Sequence, residues 1–202
     1  MFKRGKKYAI TAPSGFGKTT LAKALSGEYD DYQGIITIDG VDIRSINKVA
    51  YHRLVRFVRQ DSFLFTDTVR NNILFFAEVP GEKAFRDAIS KSHAIDFLPD
   101  ETALSRTISD KSGLSGSQKQ RIALSRALLH SPSVLILDEI TAGIDMETAV
   151  KVLSDIFAGD GLTCIVITHE TDSRLMDLFD EIVHLGETQV HKTAPICEQC
   201  NV

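Results

Sequence analysis

The chain has 202 residues, a hydrophobic fraction of 43% and a formal net charge of −4 at pH 7. This length and composition are those of a globular protein with a sizeable core. The acidic balance argues against a nucleic-acid partner, and no apolar run in the sequence approaches the ~20 residues of a membrane-spanning helix.

The first chemical signal is the stretch 12–20, which lies between an apolar run at 8–10 and a helical pattern at 21–25. A strand, a glycine-rich turn and a helix start form the setting of a phosphate-binding loop. Backbone N–H groups at 15–18 would surround phosphate oxygens at the helix N-terminus. Lys18 would add a mobile positive charge, and the Thr19 hydroxyl would ligate Mg²⁺. The predicted nucleotide-binding residues are Ser14, Gly15, Phe16, Gly17, Lys18, Thr19 and Thr20. An ordinary glycine-containing turn between a strand and a helix is the alternative.

Short elements are predicted between this loop and residue 67. They are a strand at 34–40, an extended segment at 41–46, a helix at 48–54 and a strand at 55–59 that ends at Gln60. The following loop carries the apolar side chains Phe63, Leu64 and Phe65. These side chains indicate either a surface that a partner covers or core packing beneath the next segment.

Helical patterns dominate residues 68–130. Thr68 is a candidate N-cap for a helix through Phe76, and further helical segments are predicted at 82–92 and 94–98. Residues 100–113 are polar and predicted to be irregular, whereas Ser115 is predicted to cap a helix through Leu129. We therefore expect a helical subdomain at 68–130, inserted into a core formed by 1–67 and 131–202.

The last third of the chain alternates strands with helices. The predicted elements are strands at 134–137, 162–168 and 181–185 and helices at 146–157 and 171–179. The first two strands are continuously apolar, which is typical of strands buried on both faces. This alternation predicts an α/β fold with a mostly parallel sheet flanked by helices.

Two carboxylates, Asp138 and Glu139, directly follow the apolar strand 134–137. In an open α/β sheet, ligands bind at the carboxyl ends of the strands. Asp138 would therefore hold the Mg²⁺ shell, and Glu139 would orient and deprotonate the water that attacks the γ-phosphate. The alternative is an acidic transition from strand to loop without a chemical role.

Residues 114–121, Leu-Ser-Gly-Ser-Gln-Lys-Gln-Arg, make the pattern specific. Together with the other motifs they resemble the nucleotide-binding domain of ATP-binding cassette (ABC) transporters. The motifs occur in the family's order, namely the phosphate loop, Gln60 (Q-loop), 114–118 (signature), Asp138 with Glu139, 142–145 (D-loop) and His169 (H-loop). The segments 63–65, 68–70 and 72–73, and later Asp110, resemble the exporter class. The resemblance covers nearly the whole chain and implies a P-loop NTPase core with an inserted α-helical subdomain, as a single cassette.

The resemblance also implies ATP and Mg²⁺ as ligands, in a composite site formed by two cassettes. It assigns catalytic roles to Lys18, Gln60, Glu139 and His169, and Mg²⁺ binding to Thr19, Gln60 and, through water, Asp138. The signature residues that would close on ATP bound to the other cassette are Leu114, Ser115, Gly116, Ser117 and Gln118. Asp145 would line the dimer interface.

Some of these residues have a plainer interpretation. His169 could be a solvated or structurally satisfied imidazole, and Asp145 could be a helix N-cap. The implied partners are a second cassette, identical or different, and a transmembrane transporter domain that docks near 63–65, while the Q-loop shifts as the helical subdomain rotates. We expect a soluble chain at the cytoplasmic face of a membrane, peripheral or as part of a membrane protein, without a nucleic-acid partner.

The sequence departs from the family's pattern at three places. Ala12 stands where Gly is usual, so we expect a backbone that alanine tolerates. Ser117 replaces the second signature glycine, and we expect reduced signature function, with a strain of about 1 kcal/mol if positive φ is needed. Eleven residues precede Ala12, fewer than the family's two upstream strands and adenine-stacking aromatic residue require. We expect an excised or naturally short cassette that binds ATP more weakly.

Two other functions stay open at this stage. A nucleotide-gated dimerisation module with impaired turnover would explain the departures at Ala12 and Ser117. A soluble ABC ATPase acting outside transport would share the signature, but such proteins carry long heptad insertions or two cassettes, and this sequence has neither. An ATP-hydrolysing cassette coupled to a transporter is the leading interpretation.

Overall fold

The computed structural model describes residues 1–13, 15–75, 81–109 and 113–185. Strands and helices alternate through most of this part of the chain. The strands are β1 (Lys7–Thr11), β2 (Thr37–Ile38), β3 (Val41–Asp42), β4 (Val55–Val58), β5 (Val134–Asp138), β6 (Thr163–Ile167) and β7 (Glu181–His184). The α-helices are α1 (Lys18–Leu25), α2 (Lys48–Leu54), α3 (Val69–Leu74), α4 (Glu82–Lys91), α5 (Glu101–Ser105), α6 (Gly116–Leu129), α7 (Met146–Phe157) and α8 (Ser173–Met176).

Five of the strands form one parallel sheet in the order β4-β5-β6-β1-β7. The predicted α/β fold with a parallel sheet is therefore confirmed. The predicted strand at 34–40 is wrong in extent, because only β2 is extended there, and it pairs antiparallel with β3.

Alternate residues of the sheet face two apolar layers. Ala9, Leu135 and Val166 belong to one buried cluster together with residues of α6 and α7. Tyr8, Ile136 and Ile165 belong to the other, which includes residues of α1 and α2. Since side chains of a strand point alternately to opposite faces, this pattern explains why β1, β5 and β6 read as continuous apolar runs. Tyr8 of β1 is 1% exposed.

The helices between β4 and β5 have an apolar cluster of their own. Its buried members include Val69, Phe85, Leu104 and Ile122, which come from α3, α4, α5 and α6. The described part of this helical segment therefore has a buried apolar core of its own. Helix α6 also contacts β4. Among the described residues, no helix combines the length and the apolar character needed to cross a bilayer.

Most predicted helices are present, but four predictions need correction. The segment 100–113, predicted to be irregular, contains α5, because the Asp100 carboxylate accepts a hydrogen bond from the Ala103 N–H and caps the helix. The predicted helix 171–179 is reduced to α8, which Asp172 caps. Helix α3 begins after its predicted cap, Thr68, but ends at Leu74 rather than at 76. The turn predicted at 94–98 is a 3₁₀ helix, Ala94–Asp96.

Candidate functional site

The carboxyl ends of the parallel strands gather the predicted site at one edge of the sheet. Ile167 lies beside both Ile10 and Asp138 in the strand register, so β6 is flanked by the strands that lead into the phosphate loop and Glu139. His169 follows β6 by two residues. The tertiary structure thus unites motifs that are about 30 to 150 residues apart in the sequence.

The phosphate loop has the backbone conformation that its glycines permit. Gly15 and Gly17 have φ of 83° and 80°, and Gly17 is the N-cap of α1. Nothing lies within 4 Å of a Cβ built at either position, so the loop is open above both glycines. Ala12 is not among the residues with positive φ, as expected. Ser14 lies outside the described residues.

Lys18 is not the mobile charge that was expected. It is 6% exposed, and its Nζ donates hydrogen bonds to the carbonyl oxygens of Ala12 (2.7 Å) and Pro13 (3.3 Å). The ammonium group is therefore held inside the loop by backbone dipoles. Phosphate oxygens, which carry full negative charge, are stronger acceptors for this group than neutral carbonyls.

Asp138 supplies a buried carboxyl group next to α1. It is 3% exposed, and burial raises its pKa, while a side-chain hydrogen bond from Thr19 lowers it. The neighbouring Glu139 raises the pKa further, and Lys18 and Lys23 lower it. A desolvated carboxylate and a hydroxyl side by side are hard oxygen donors of the kind that Mg²⁺ prefers. No group of three or more His, Cys, Asp or Glu residues in the described ranges is placed to hold a metal ion by itself.

Glu139 has a strained backbone and a defined partner. Its φ is +53°, unusual for a residue other than glycine, and its N–H donates to the Ile167 carbonyl at 3.0 Å. One carboxylate oxygen, Oε1, lies 2.8 Å from Nε2 of His169. The exposed fractions of the two side chains are 22% and 44%, so both are accessible. Strain of this kind is commonly retained at active sites because it aims a side chain.

Gln60 lies just beyond β4 and is exposed. Its carbonyl oxygen accepts a hydrogen bond of 2.9 Å from the Nε2 of Gln120, a buried residue of α6. Gln120 was not predicted from the sequence, where the only indication is a polar residue on a helix face that is otherwise apolar. Its hydrogen bond connects the start of the Q-loop to helix α6.

The signature residues form the N-terminus of α6. The Ser115 hydroxyl accepts from the Gln118 N–H, and the Gln118 side chain accepts from the Ser115 N–H, which completes a capping box. The Ser117 hydroxyl lies 3.0 Å from that of Ser115. Ser117 belongs to the helix, where the backbone has negative φ, so the condition for strain at this position is not met.

The remaining predicted residues have mixed environments. Asp145 caps α7 by accepting from the Thr148 N–H and hydroxyl, which lower its pKa, and it is exposed.

In the apolar loop, Phe65 stacks on Phe75 with ring centroids 4.2 Å apart, and Leu64 packs against the helical cluster. Phe63 is 69% exposed. Core packing therefore accounts for Leu64 and Phe65, whereas a partner-covered surface stays a prediction for Phe63. Asp110 lies outside the described residues.

The chain is similar to known proteins over most of its length. The family model for ABC transporters matches residues 1–142. The chain is 40% identical over 170 residues to ATP-binding cassette sub-family B member 5 of Mus musculus, covering 83% of this chain and 14% of that protein. It is 38% identical over 176 residues to the colicin V secretion/processing ATP-binding protein CvaB of Escherichia coli, covering 86% of this chain and 25% of that protein.

A solved structure is similar over most of the chain. A bacterial Atm1-family ABC exporter with ATP bound superimposes with a TM-score of 0.83 and 32% identity, covering 91% of this chain and 33% of that one. The chain therefore spans a third or less of the length of the relatives named here.

Proposed function

The chain belongs to the ABC transporter family, as an ATP-binding cassette related to the exporters, and from this membership we propose how its residues bind and hydrolyse ATP. Residues 14–20 bind the phosphates. Backbone N–H groups at 15–18 donate to phosphate oxygens, and Lys18 exchanges the carbonyl oxygens of Ala12 and Pro13 for phosphate. The buried ammonium group is already desolvated, so this exchange gains a charged partner without a further burial step.

Thr19, Gln60 and, through water, Asp138 would hold Mg²⁺. The ion would supply positive charge that offsets the negative charge of the phosphates. The support for this site is the desolvated Asp138 carboxyl and its hydrogen bond with Thr19.

The contact between Glu139 and His169 is the observation that carries the catalytic proposal. Glu139 accepts the proton of the attacking water, and His169 keeps the carboxylate in place through the 2.8 Å contact with Nε2. Degenerate cassettes commonly lose one of these residues, whereas both are present and paired in this chain. The pairing therefore favours hydrolysis over a module that only binds nucleotide.

The signature residues 114–118 act on ATP held by a second cassette, identical or different. Side-chain hydrogen bonds of Ser115, Ser117 and Gln118 stay within 115–118 in the described part of the chain, and Ser115 and Gly116 are exposed. An exposed helix N-terminus suits a phosphate, because the first N–H groups of a helix have no backbone partner within it. Asp145 lies at the interface between the two cassettes. Closure of the dimer drives a transmembrane domain at the cytoplasmic face of the membrane, through the surface around Phe63.

The test is Mg-ATP turnover of the chain beside Glu139→Gln, with the oligomeric state followed by size-exclusion chromatography. Removal of the general base is expected to lower turnover about 10²- to 10⁴-fold and to leave an ATP-trapped dimer. Because glutamine keeps the size and can still contact His169, the fold should be unchanged. Turnover equal to that of the unsubstituted chain would refute the role of Glu139. ATP binding without turnover in either protein would favour the nucleotide-gated module.

A further inference from the structure

A groove runs between the end of β4, the Q-loop and helix α6. We call it the arginine groove and define it by Arg56, Phe57, Phe63, Phe75, Arg126 and His130, around a volume of about 380 Å³. It contains the exposed Phe63, and it lies on the side of the Q-loop that meets the helical segment. Its lining combines aromatic rings with positive charge, which is unusual for an apolar docking surface.

Arg56 is the main anomaly of this groove. It is partly buried in β4, and its Nε–H is buried with no hydrogen-bond partner among the described residues. No ion pair in the described ranges includes it. Burial lowers the pKa of the Arg56 guanidinium, with no acidic group acting against that shift. Partial burial of a cation without a counter-charge is unfavourable, so a negatively charged group in the groove would stabilise Arg56.

The groove residues Arg126 and His130 provide no negative charge to Arg56. Arg126 donates to the backbone carbonyls of Asn72 and Phe63, and its guanidinium lies over the rings of Phe65 and Phe75. Burial lowers the pKa of Arg126 as well. The pKa of His130 is lowered by burial and then by Arg56, so the imidazole is kept neutral rather than supplying charge.

The rim of the groove supplies little negative charge to Arg56. Glu28 is already engaged in an ion pair with Arg59. Asp61 is exposed, and it is the one acidic residue among the described residues that line the groove. Two partly buried arginine side chains thus line the same groove, together with aromatic rings.

We propose that the arginine groove receives an acidic segment of the membrane-embedded partner, in which a carboxylate pairs with Arg56 and apolar neighbours cover Phe63. The segment must carry both features, because a carboxylate alone would leave Phe63 exposed and an apolar segment alone would bury Arg56 without a counter-charge. This inference rests on the proposed function, which supplies the membrane-embedded partner. It adds the chemistry by which that partner is selected.

The test is an unbiased selection on the whole chain. A library of random 12-residue peptides displayed on phage is selected on the chain and counter-selected on Arg56→Gln. Recovered peptides are synthesised with a fluorescein label, and each acidic peptide is paired with a copy in which Gln replaces Glu or Asn replaces Asp. Binding is measured by fluorescence anisotropy to the chain, to Arg56→Gln and to Arg53→Gln. The last variant removes an equal charge from the exposed helix α2, outside the groove.

The expected result is enrichment of Asp or Glu next to aromatic or aliphatic residues. Acidic peptides should bind about tenfold more weakly to Arg56→Gln, the loss typical of a charge-assisted hydrogen bond, and Arg53→Gln should bind them normally. The amide copies should bind both proteins equally. An empty selection, or peptides without acidic enrichment, or equal binding to Arg56→Gln, would overturn the inference.

The two proposals fail separately. Arg56 has no role in the nucleotide site, so Arg56→Gln should keep ATP binding and turnover, and these assays also report that the variant is folded. A chain that binds and hydrolyses ATP but selects no acidic peptide would contradict the groove alone. A chain that neither binds nor hydrolyses ATP would contradict the proposed function, whatever the peptides do.

Discussion

Replacing Glu139 by glycine should make the protein more stable than replacing it by alanine, although glycine usually destabilises. Glu139 has a φ of +53°. Both substitutions remove the carboxylate and its contact with His169, so the difference between them isolates the Cβ atom. In the left-handed region, a Cβ atom lowers the free energy of unfolding by about 1–2 kcal/mol. Relative to alanine, glycine lowers it by about 0.4–1 kcal/mol, because its unfolded chain has more conformational entropy. The net advantage of glycine is therefore about 0.8 kcal/mol.

The assay is equilibrium urea unfolding of Glu139→Gly and Glu139→Ala without nucleotide, which measures their free energies of unfolding. In thermal unfolding, the same difference would appear in a protein of this size as a shift of about 2–3 °C in Tm. Ala142→Gly is the matched control, since Ala142 lies in the same turn but is not among the residues with positive φ. The free energy of unfolding of Ala142→Gly should be about 0.5–1 kcal/mol lower than that of the unsubstituted chain. A Glu139→Ala variant as stable as Glu139→Gly would refute the claim that the backbone is strained to aim the carboxylate.

Two further outcomes follow from the site. Asp138→Asn should stabilise the chain in EDTA at pH 7, because burial raises the pKa of Asp138 in the folded state. The unfolded carboxyl ionises first as the pH rises above about 4, so the gain should be absent below that pH and grow above it. Urea titrations at pH 3.5 and 7 check this, and an equal gain at both would contradict it. Ser117→Ala should raise Mg-ATP turnover by up to about tenfold, since the Ser115 hydroxyl would lose its neighbour 3.0 Å away and be free to bind phosphate. If only Ser117→Gly raised turnover, a backbone effect rather than the hydroxyl would be responsible.

The sequence was sufficient wherever the signal was local. Helices α2 and α7 have the predicted bounds, and the predicted caps Thr68 and Ser115 accept the hydrogen bonds expected of them. These features depend on residues within one or two turns of each other. The motif order identified the family for the same reason, because each motif is a short stretch with a fixed internal spacing.

Local reasoning failed where a weak signal competed with composition. The Asp100 cap was overlooked because the polar segment around it lacks helical periodicity, so α5 was predicted to be irregular. For Ser117, the sequence left open whether the backbone needs the positive φ that a glycine at this place in the family would permit. In this chain the capping box between Ser115 and Gln118 starts the helix before Ser117, and the backbone there is ordinary.

The sequence by itself determined the phosphate loop, the two carboxylates after β5 and the alternation of strands and helices. Only the tertiary structure decided that Glu139 meets His169, that Lys18 is buried against carbonyl oxygens and that Gln120 holds Gln60. It alone showed that the Nε–H of Arg56 is buried without a hydrogen-bond partner in the part of the chain that the structure describes. The physical reason is that periodicity and caps are set by neighbouring residues, whereas these contacts depend on the strand order β4-β5-β6-β1-β7 and on which helices cover it.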